Sequence, residues 1–357
     1  MNLFSKKSAL LAVICVVAVL SVFFVLGCDG ETELDPDEAE NGEVDEAVDE
    51  QLSFVCHDPG TPFYSNAVAF SSAVEQNSDL MITPQPVTST LAFPEHIKDG
   101  SAQLAISTST DLYSIWEGSG AFEGEDHSHA RAVLMGGELK NGFFSCKTSG
   151  ILELDDIPGS DFTIHLAAAQ TGQNLEDALL EITGWEPDED FNRLEAEHIF
   201  PAWNDLAEGR TEVINSTISA ADIEEAAVRI EPWLIEMDQE FMEQVVELYP
   251  EFHITETRRD YATIPEGTPA LAVGEWFYSS EEVSNEIIYE FLETAYENFD
   301  AAYEASPEHM EGWEPEGWAS EETPLPYHEG AVEFFEDQGM WTDEMEEIQQ
   351  ELLEEAQ

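Results

Sequence analysis

Acidic side chains occur along the whole 357-residue chain and are interleaved with its apolar residues. The sequence has 78 Asp and Glu against 11 Lys and Arg, a formal net charge of −67. Such repulsion destabilises a compact state in dilute buffer, whereas salt at 1 M shortens the Debye length to roughly 3 Å and screens it. Any fold must therefore keep most carboxylates on a solvated surface, and we interpret the charge as adaptation to high salt. Binding of calcium or of a cationic partner is the alternative.

Two broad classes are excluded by composition. A nucleic-acid-binding surface needs clustered Lys and Arg, which this chain lacks. A disordered acidic protein would be poor in apolar residues, but 43% of this chain is hydrophobic. The sequence therefore predicts a folded protein whose partners are not nucleic acids.

The N-terminus has the features of a secretion signal. Lys6 and Lys7 precede an apolar run over residues 9–26, and the run ends in VLGC, which resembles a lipobox. We predict a lipoprotein signal peptide over 1–27, with Cys28 as the lipid anchor that holds the protein on the outer side of the cell membrane. The run is also just long enough to span a bilayer, so an uncleaved helix is the alternative. Residues 28–51 are acidic, lack apolar periodicity and predict a disordered tether.

Cysteine usage leaves one question open. With Cys15 in the signal and Cys28 as the anchor, Cys56 and Cys146 remain. In an extracytoplasmic protein the pair is either a disulfide or two separate thiols.

From Leu52 onward, short β-like runs alternate with helical periodicity, which favours an α/β fold with parallel sheets. Ser279 and Glu282 form a capping-box pattern, which predicts a helix beginning there. Thr342 is predicted to cap the last helix. The predicted strands are 52–56, 80–82, 103–107, 143–147, 162–165, 212–218 and 269–273, and the predicted helices include 63–74, 173–183 and 202–208.

Motifs for catalysis are absent: the sequence contains no Gly-x-Ser-x-Gly, P-loop, His-Glu-x-x-His or Cys-x-x-Cys pattern. EDHSH at 125–129 has metal-ligand residue types, but in so acidic a chain an exposed loop is the favoured interpretation, and we predict no metal. The hydroxyl-rich segments 83–90 and 107–110 each follow a short strand. Ligands of α/β sheets bind at such positions, although helix capping is the alternative role.

Four stretches carry a family resemblance: GSAQLAISTSTDLYSIWEG at 100–118, GILELDDIPG at 150–159, LAEGRTEVINSTIS at 206–219 and LPYHEGAVEFFEDQGMW at 325–341. In order and spacing they resemble the TAXI-type solute-binding subunits of TRAP transporters, over nearly all of residues 52–341. The last stretch is the most specific. Its His328 and Gly330 match the family signature. We expect a structural role for His328 and a close backbone approach at Gly330.

The resemblance implies a two-lobed α/β periplasmic binding protein (type II-like). Each lobe would have a mainly parallel sheet with flanking helices, and the ligand cleft would lie between the lobes. Lobe I would comprise 52–147 and 268–341, lobe II 148–267, and an acidic helix 342–357 would follow. Such a protein captures a small organic acid or amino acid and delivers it to a TRAP-type membrane permease. It is not an enzyme and needs no cofactor. A secreted hydrolase-like enzyme and a ligand sensor with the same fold are the alternatives.

By position, the family's ligand-contact segments predict a set of site residues in this chain. The family's glycine-rich segment is HLAAAQT at 165–171 here, so Cβ atoms stand where backbone N–H groups would otherwise approach a ligand. A buried ligand carboxylate then needs a cation, and Arg258 is our candidate, with a surface ion pair as its alternative role. The predicted ligand-binding residues are Phe63, Tyr64, Thr88, Ser89, Thr90, Thr108, Ser109, Thr110, Tyr113, Thr171 at the end of segment 168–171, Ser216, Thr217, Arg258 and Tyr261.

Overall fold

The computed structural model describes residues 51–165, 170–196, 200–218, 220–307, 309–310 and 312–355. The predicted signal peptide, the anchor at Cys28 and the predicted tether up to residue 50 lie outside these ranges, whereas Gln51, the last residue of the predicted tether, begins the first strand. Among the helices of the described ranges, none is long and apolar enough to cross a membrane.

Ten strands form one mixed sheet in the order β2-β1-β3-β10-β4-β7-β5-β6, with β8 paired to β4 and β9 to β10. The pairs β1–β2, β1–β3, β5–β6 and β5–β7 are parallel. The pairs made by β10 and β4 are antiparallel. The strands are β1 (Gln51–Cys56), β2 (Met81–Pro86), β3 (Leu104–Thr108), β4 (Ala130–Cys146), β5 (Asp161–His165), β6 (Asn192–Ala196), β7 (Val213–Thr217), β8 (Pro232–Leu234), β9 (Phe252–Glu256) and β10 (Pro269–Ser280).

Helices follow most of the strands, as expected where parallel strands are joined by crossovers. They are α1 (Pro62–Glu75), α2 (Phe93–Lys98), α3 (Ser109–Glu117), α4 (Gln170–Thr183), α5 (Phe200–Glu208), α6 (Ala220–Ala227), α7 (Gln239–Leu248), α8 (Asn285–Glu297), α9 (Phe299–Ala305), α10 (Glu329–Asp337) and α11 (Asp343–Glu355). The α/β fold class predicted from the sequence is confirmed.

The buried apolar residues form three clusters. The largest contains residues from Leu52 to Leu134 and from Trp276 to Phe335. The other two are built from residues between Phe143 and Val273. Leu139 on β4 is half-buried and packs against both the largest cluster and the second one. The predicted lobe boundaries fall close to these divisions and stay a prediction.

The start of α8 differs from the sequence prediction. Ser279 lies inside β10, where its hydroxyl donates to the carbonyl of Gln103. Ser284 caps the helix instead, accepting a hydrogen bond from the backbone N–H of Ile287. The capping-box prediction was therefore wrong, because the strand pairing of β10 outweighs the local helix signal. At the other end of the chain, the predicted cap at Thr342 is confirmed by a 3.1 Å bond from the N–H of Met345.

The closing signature is a structural element. His328 is buried and caps α10: its Nδ1 accepts from the N–H of Gly330, and its Nε2 lies 3.0 Å from the carbonyl of Val283. A Cβ on Gly330 would lie 2.3 Å from the carbonyl oxygen of Asn285. The close backbone approach predicted for Gly330 is confirmed.

The burial of the acidic residues and of the two cysteines can be compared with the sequence predictions for them. Of the acidic residues whose burial the structure describes, three are buried: Asp111, Glu176 and Glu275. The others of this set lie at least partly in solvent, as the charge of the chain requires. Cys56 and Cys146 are both free thiols, the first buried and the second half-buried.

Candidate ligand-binding site

A cavity of about 110 Å³ lies where β1, β3 and β7 end and where α1, α3 and α4 begin. Carboxyl ends of strands and N-termini of helices meet at this position, which is where α/β sheets bind ligands. Its lining consists of His57, Thr61, Pro62, Phe63, Thr90, Thr108, Asp111, Leu139, Asn141, Thr171, Gly172, Trp203, Asn215, Ser216, Thr217 and Asp222.

Two hydrogen bonds beside the cavity join segments that the sequence assigns to different lobes. The hydroxyls of Thr108 and Thr171 lie 3.0 Å apart. The carboxylate of Asp111 accepts from the backbone N–H of Gln170, at 3.3 Å. Thr108, the N-cap of α3, and Asp111, in the first turn of α3, therefore contact the first turn of α4 directly.

Asp111 is the buried carboxyl of the cavity wall, with 1% of its surface exposed. Burial raises the pKa of its carboxyl, while hydrogen bonds from the Ser107 hydroxyl and the Gln170 N–H oppose that rise. The Thr90 hydroxyl lies close enough to lower this pKa as well, but forms no hydrogen bond of normal geometry.

The histidine of the wall carries no fixed charge. Burial lowers the pKa of His57, although the nearby Asp58 carboxylate opposes the effect. Its Nδ1 accepts from the backbone N–H of Asp58 at 2.8 Å, so the ring proton is on Nε2. His57 is thus a neutral imidazole at neutral pH and does not neutralise Asp111.

The amide groups of the wall use their N–H donors on protein atoms. Asn215 donates to the carbonyl of Gly172 at 2.8 Å and approaches Glu176 at 3.4 Å. Asn141 donates to the carbonyl of Leu139. On the apolar side, the indole of Trp203 donates to the Ser216 hydroxyl at 3.0 Å and so fixes its ring at the wall.

The structure brings six of the predicted site residues together around this cavity: Phe63, Thr90, Thr108, Thr171, Ser216 and Thr217. Whether they bind a ligand stays a prediction. The common feature of this group is its place at a strand end or in the first turn of the following helix.

Other predicted residues lie outside the lining. Ser109 accepts from the N–H of Gly274, and Thr88 is exposed. Tyr261 is buried in an apolar cluster, with the guanidinium of Arg259 over its ring. The remaining residues of this group are Tyr64, which packs against the largest cluster, Ser89, Thr110 and Tyr113.

Arg258 is also outside the lining. Its guanidinium pairs with Glu138 at 3.7 Å, and 42% of its side chain is exposed. Glu138 also binds His253 and Lys140, and the hydrogen bond from His253, with further help from Lys140, lowers the pKa of Glu138 to about 2. The alternative role stated for Arg258, a surface ion pair, is the one its geometry matches.

Sequence reasoning missed part of the wall. Asp111 directly follows Thr110, a predicted site residue, in the motif STSTD, so a local sequence signal for Asp111 was present. Asn141 lies in the middle of β4, where no strand was predicted. Trp203 and Asp222 have no local signal, since only the tertiary fold brings them here. The other missed residues are His57, Thr61, Pro62, Leu139, Gly172 and Asn215.

A second polar cluster contains residue types that bind metals. Candidate ligand atoms of Glu95, Glu125 and His127 lie within 4.8 Å of one another. His127 already bonds Glu125 at 3.0 Å, its Nδ1 has no hydrogen-bond partner, and the ammonium of Lys98 lies 3.9 Å from Glu95. Metal-bound histidines have their second nitrogen hydrogen-bonded, and a neighbouring cation disfavours a metal. This arrangement does not fit a metal centre.

The fold is an α/β sheet with a cavity at its strand ends, which is the place where α/β proteins bind ligands. The chain belongs to the NMT1-like family, whose model matches residues 59–339. Among solved structures, MatC from Rhodopseudomonas palustris with bound malate has a TM-score of 0.52 at 9% identity, covering 86% of this chain and 99% of that one. PhnD1 from Prochlorococcus marinus in complex with methylphosphonate has a TM-score of 0.51 at 8% identity, covering 82% and 100%. No curated protein matches the sequence.

Proposed function

We propose that the chain is the extracytoplasmic solute-binding subunit of a TAXI-type TRAP transporter. It captures a small organic acid or amino acid and delivers it to a membrane permease. The cavity carries this proposal, because six residues at the family's ligand-contact positions lie around it. Membership of the NMT1-like family and the fold shared with solute-binding proteins support the same class.

The hydrogen bonds beside the cavity support a capture mechanism. Thr108 pairs with Thr171, and Asp111 pairs with the N–H of Gln170. In the proposed division, the first partner of each pair belongs to lobe I and the second to lobe II. A solute enters only when these bonds open, and their re-formation around it encloses the solute for transfer.

Anchoring completes the proposal. The signal peptide directs the chain across the membrane, and the lipid on Cys28 holds it at the surface where the permease lies. The acidic segment 28–51 gives it reach as a self-repelling tether. High salt screens the net charge of −67 and keeps the folded part compact.

Thermal unfolding in about 1 M salt tests the binding function, since the Debye length there is roughly 3 Å. A solute at hundred-fold its Kd stabilises the folded state by about 2.7 kcal/mol and raises the Tm. The panel comprises small carboxylates, amino acids and amino-acid amides. We expect at least one class to raise the Tm in proportion to the logarithm of its concentration. A Tm unchanged by the whole panel contradicts the proposed ligand range.

A further inference from the structure

The polar lining of the cavity is rich in acceptors. Asp111 and Asp222 contribute carboxyl groups. Asn215 donates to the carbonyl of Gly172, and Asn141 donates one amide hydrogen to the carbonyl of Leu139; the side-chain oxygens of both are acceptors. The Thr61 hydroxyl donates to the carbonyl of Asp58 and is likewise unavailable as a donor. A ligand that matches these carboxyl and amide oxygens supplies hydrogen-bond donors.

Positive charge is missing from the same lining. None of the described lining residues is Lys or Arg, and His57 is neutral. One N–H group at the start of each of α3 and α4 donates to the protein itself. The N–H of Asp111 donates to the Thr108 hydroxyl at 3.3 Å, and the N–H of Gln170 donates to the Asp111 carboxylate. An anionic solute would thus meet a buried carboxylate where it needs a cation.

Asp111 itself lacks a counter-charge. Its carboxylate accepts from Ser107 and Gln170, which leaves acceptor capacity unused, since an ionised carboxyl has about four lone-pair sites. Beside it, the Thr90 hydroxyl is 4% exposed, lines the cavity and has no hydrogen-bond partner of normal geometry. A buried carboxyl without a counter-charge either keeps its proton or needs a cationic partner.

From these observations we infer that the solute carries a protonated amine, which binds between the carboxylates of Asp111 and Asp222. This inference rests on the proposed function and narrows its ligand class. The aromatic residues Phe63 and Trp203 also line the cavity, and aromatic rings attract such a cation. A 150 Å³ cavity holds benzene, so about 110 Å³ holds roughly five non-hydrogen atoms. The class is therefore small alkylammonium ions, amino alcohols and the smallest amino acids, rather than simple organic acids.

Matched pairs of probes test the sign of the ligand charge. Propylamine, ethanolamine and glycine are titrated by calorimetry into the full chain in molar KCl, beside propionate and glycolate. We expect binding of the ammonium compounds and none of the acids. Asp111→Asn keeps the side-chain shape but removes the charge, and should weaken ammonium binding roughly 10- to 100-fold, as expected for loss of a charged hydrogen bond.

Two further variants complete the design. Asp222→Asn removes the second carboxylate and gives an independent reading if Asp111→Asn does not fold. Asp238→Asn is the matched control, because Asp238 caps α7 outside the cavity and Asn is an equally good cap. It should leave affinity unchanged.

The outcomes separate the two proposals. Binding of the acids alone, or unchanged ammonium affinity in Asp111→Asn and Asp222→Asn, overturns the inference and leaves the proposed function standing. Binding of neither class at millimolar concentration contradicts both.

Discussion

The pH dependence of stability that Glu275 on β10 causes is a direct test of the fold. Its carboxyl is buried, with 3% of the residue exposed, and burial raises its pKa from 4.5 to about 8. The indole of Trp313 and the charge of Lys140 only partly oppose this rise. One carboxyl oxygen has no hydrogen-bond partner of normal geometry. The folded protein therefore holds a proton at neutral pH that the unfolded chain releases.

The sign of the pH dependence follows from this difference in proton binding. Below about pH 4.5 both states are protonated, and Glu275 adds no pH-dependent term. Between about pH 4.5 and pH 8 the stability falls as pH rises, by about 1.4 kcal/mol per unit. At pH 7 the cost is about 3 kcal/mol, since that pH lies about 2.5 units above the unfolded value.

Glu275→Gln removes this titration. Relative to the native chain, the variant should gain about 3 kcal/mol of stability between about pH 4.5 and pH 7, equivalent to a Tm gain of roughly 5 °C. The readout is the change in the Tm difference with pH, measured in molar salt, because any packing defect of glutamine adds only a constant offset. Glu297→Gln, at an exposed position of α8, is the control and should show no such change. A Tm difference that stays constant over this range refutes the reasoning.

Three further predictions follow from single features. Gly330→Ala should destabilise the fold by about 2 kcal/mol or more, because its Cβ would lie 2.3 Å from the Asn285 carbonyl oxygen. The midpoint of urea unfolding measures this loss of stability. Gly317→Ala is the control, because open space surrounds Gly317. Arg258→Ala should change solute affinity by less than about two-fold, since Arg258 forms a partly exposed ion pair with Glu138. A loss of roughly 1.5–3 kcal/mol of binding free energy would show instead that Arg258 contacts the solute. Raising KCl from about 0.1 M to about 1 M should raise the Tm, and a fall would contradict salt adaptation.

Local signals predicted the outer parts of the fold well. The runs ending at Cys56 and at His165 and the helix that begins near Phe63 have the apolar patterns typical of their classes, and each is found within one or two residues of its predicted bounds. These elements depend on near neighbours in sequence, so their patterns are readable without the fold.

The central strands were harder to predict, for a physical reason. β4 runs over 17 residues, but its glycines weaken the strand signal. A Cβ on Gly136 would lie 2.4 Å from the ring of Trp313, and one on Gly142 would lie 2.5 Å from Leu234. These glycines admit side chains from distant parts of the sequence, which no local pattern reveals. As a result the sequence missed most of β4 and, with it, Asn141 of the cavity.

The residues of the cavity likewise divide into those that local sequence patterns predict and those that only the tertiary fold brings together. Thr108, Ser216 and their neighbours were predictable because they follow strands within recognisable motifs. Asp222 and Trp203 reach the cavity through the packing of α5 and α6 and could not be predicted. Arg258 was predicted from the need for a cation, a need that disappears if the solute itself is positively charged.

The central claim is that the cavity binds a small solute, and filling the cavity tests it most directly. Thr217 lies in the lining at the end of β7, and Thr217→Phe should occupy the space of about 110 Å³ while the backbone pairing with Asn141 is kept. Calorimetric titration of both chains with a solute that raises the native Tm is the measurement. We predict one site in the native chain and at least a hundred-fold loss, about 2.7 kcal/mol, in the variant. Equal affinity in a folded Thr217→Phe chain would place the solute elsewhere and contradict the account.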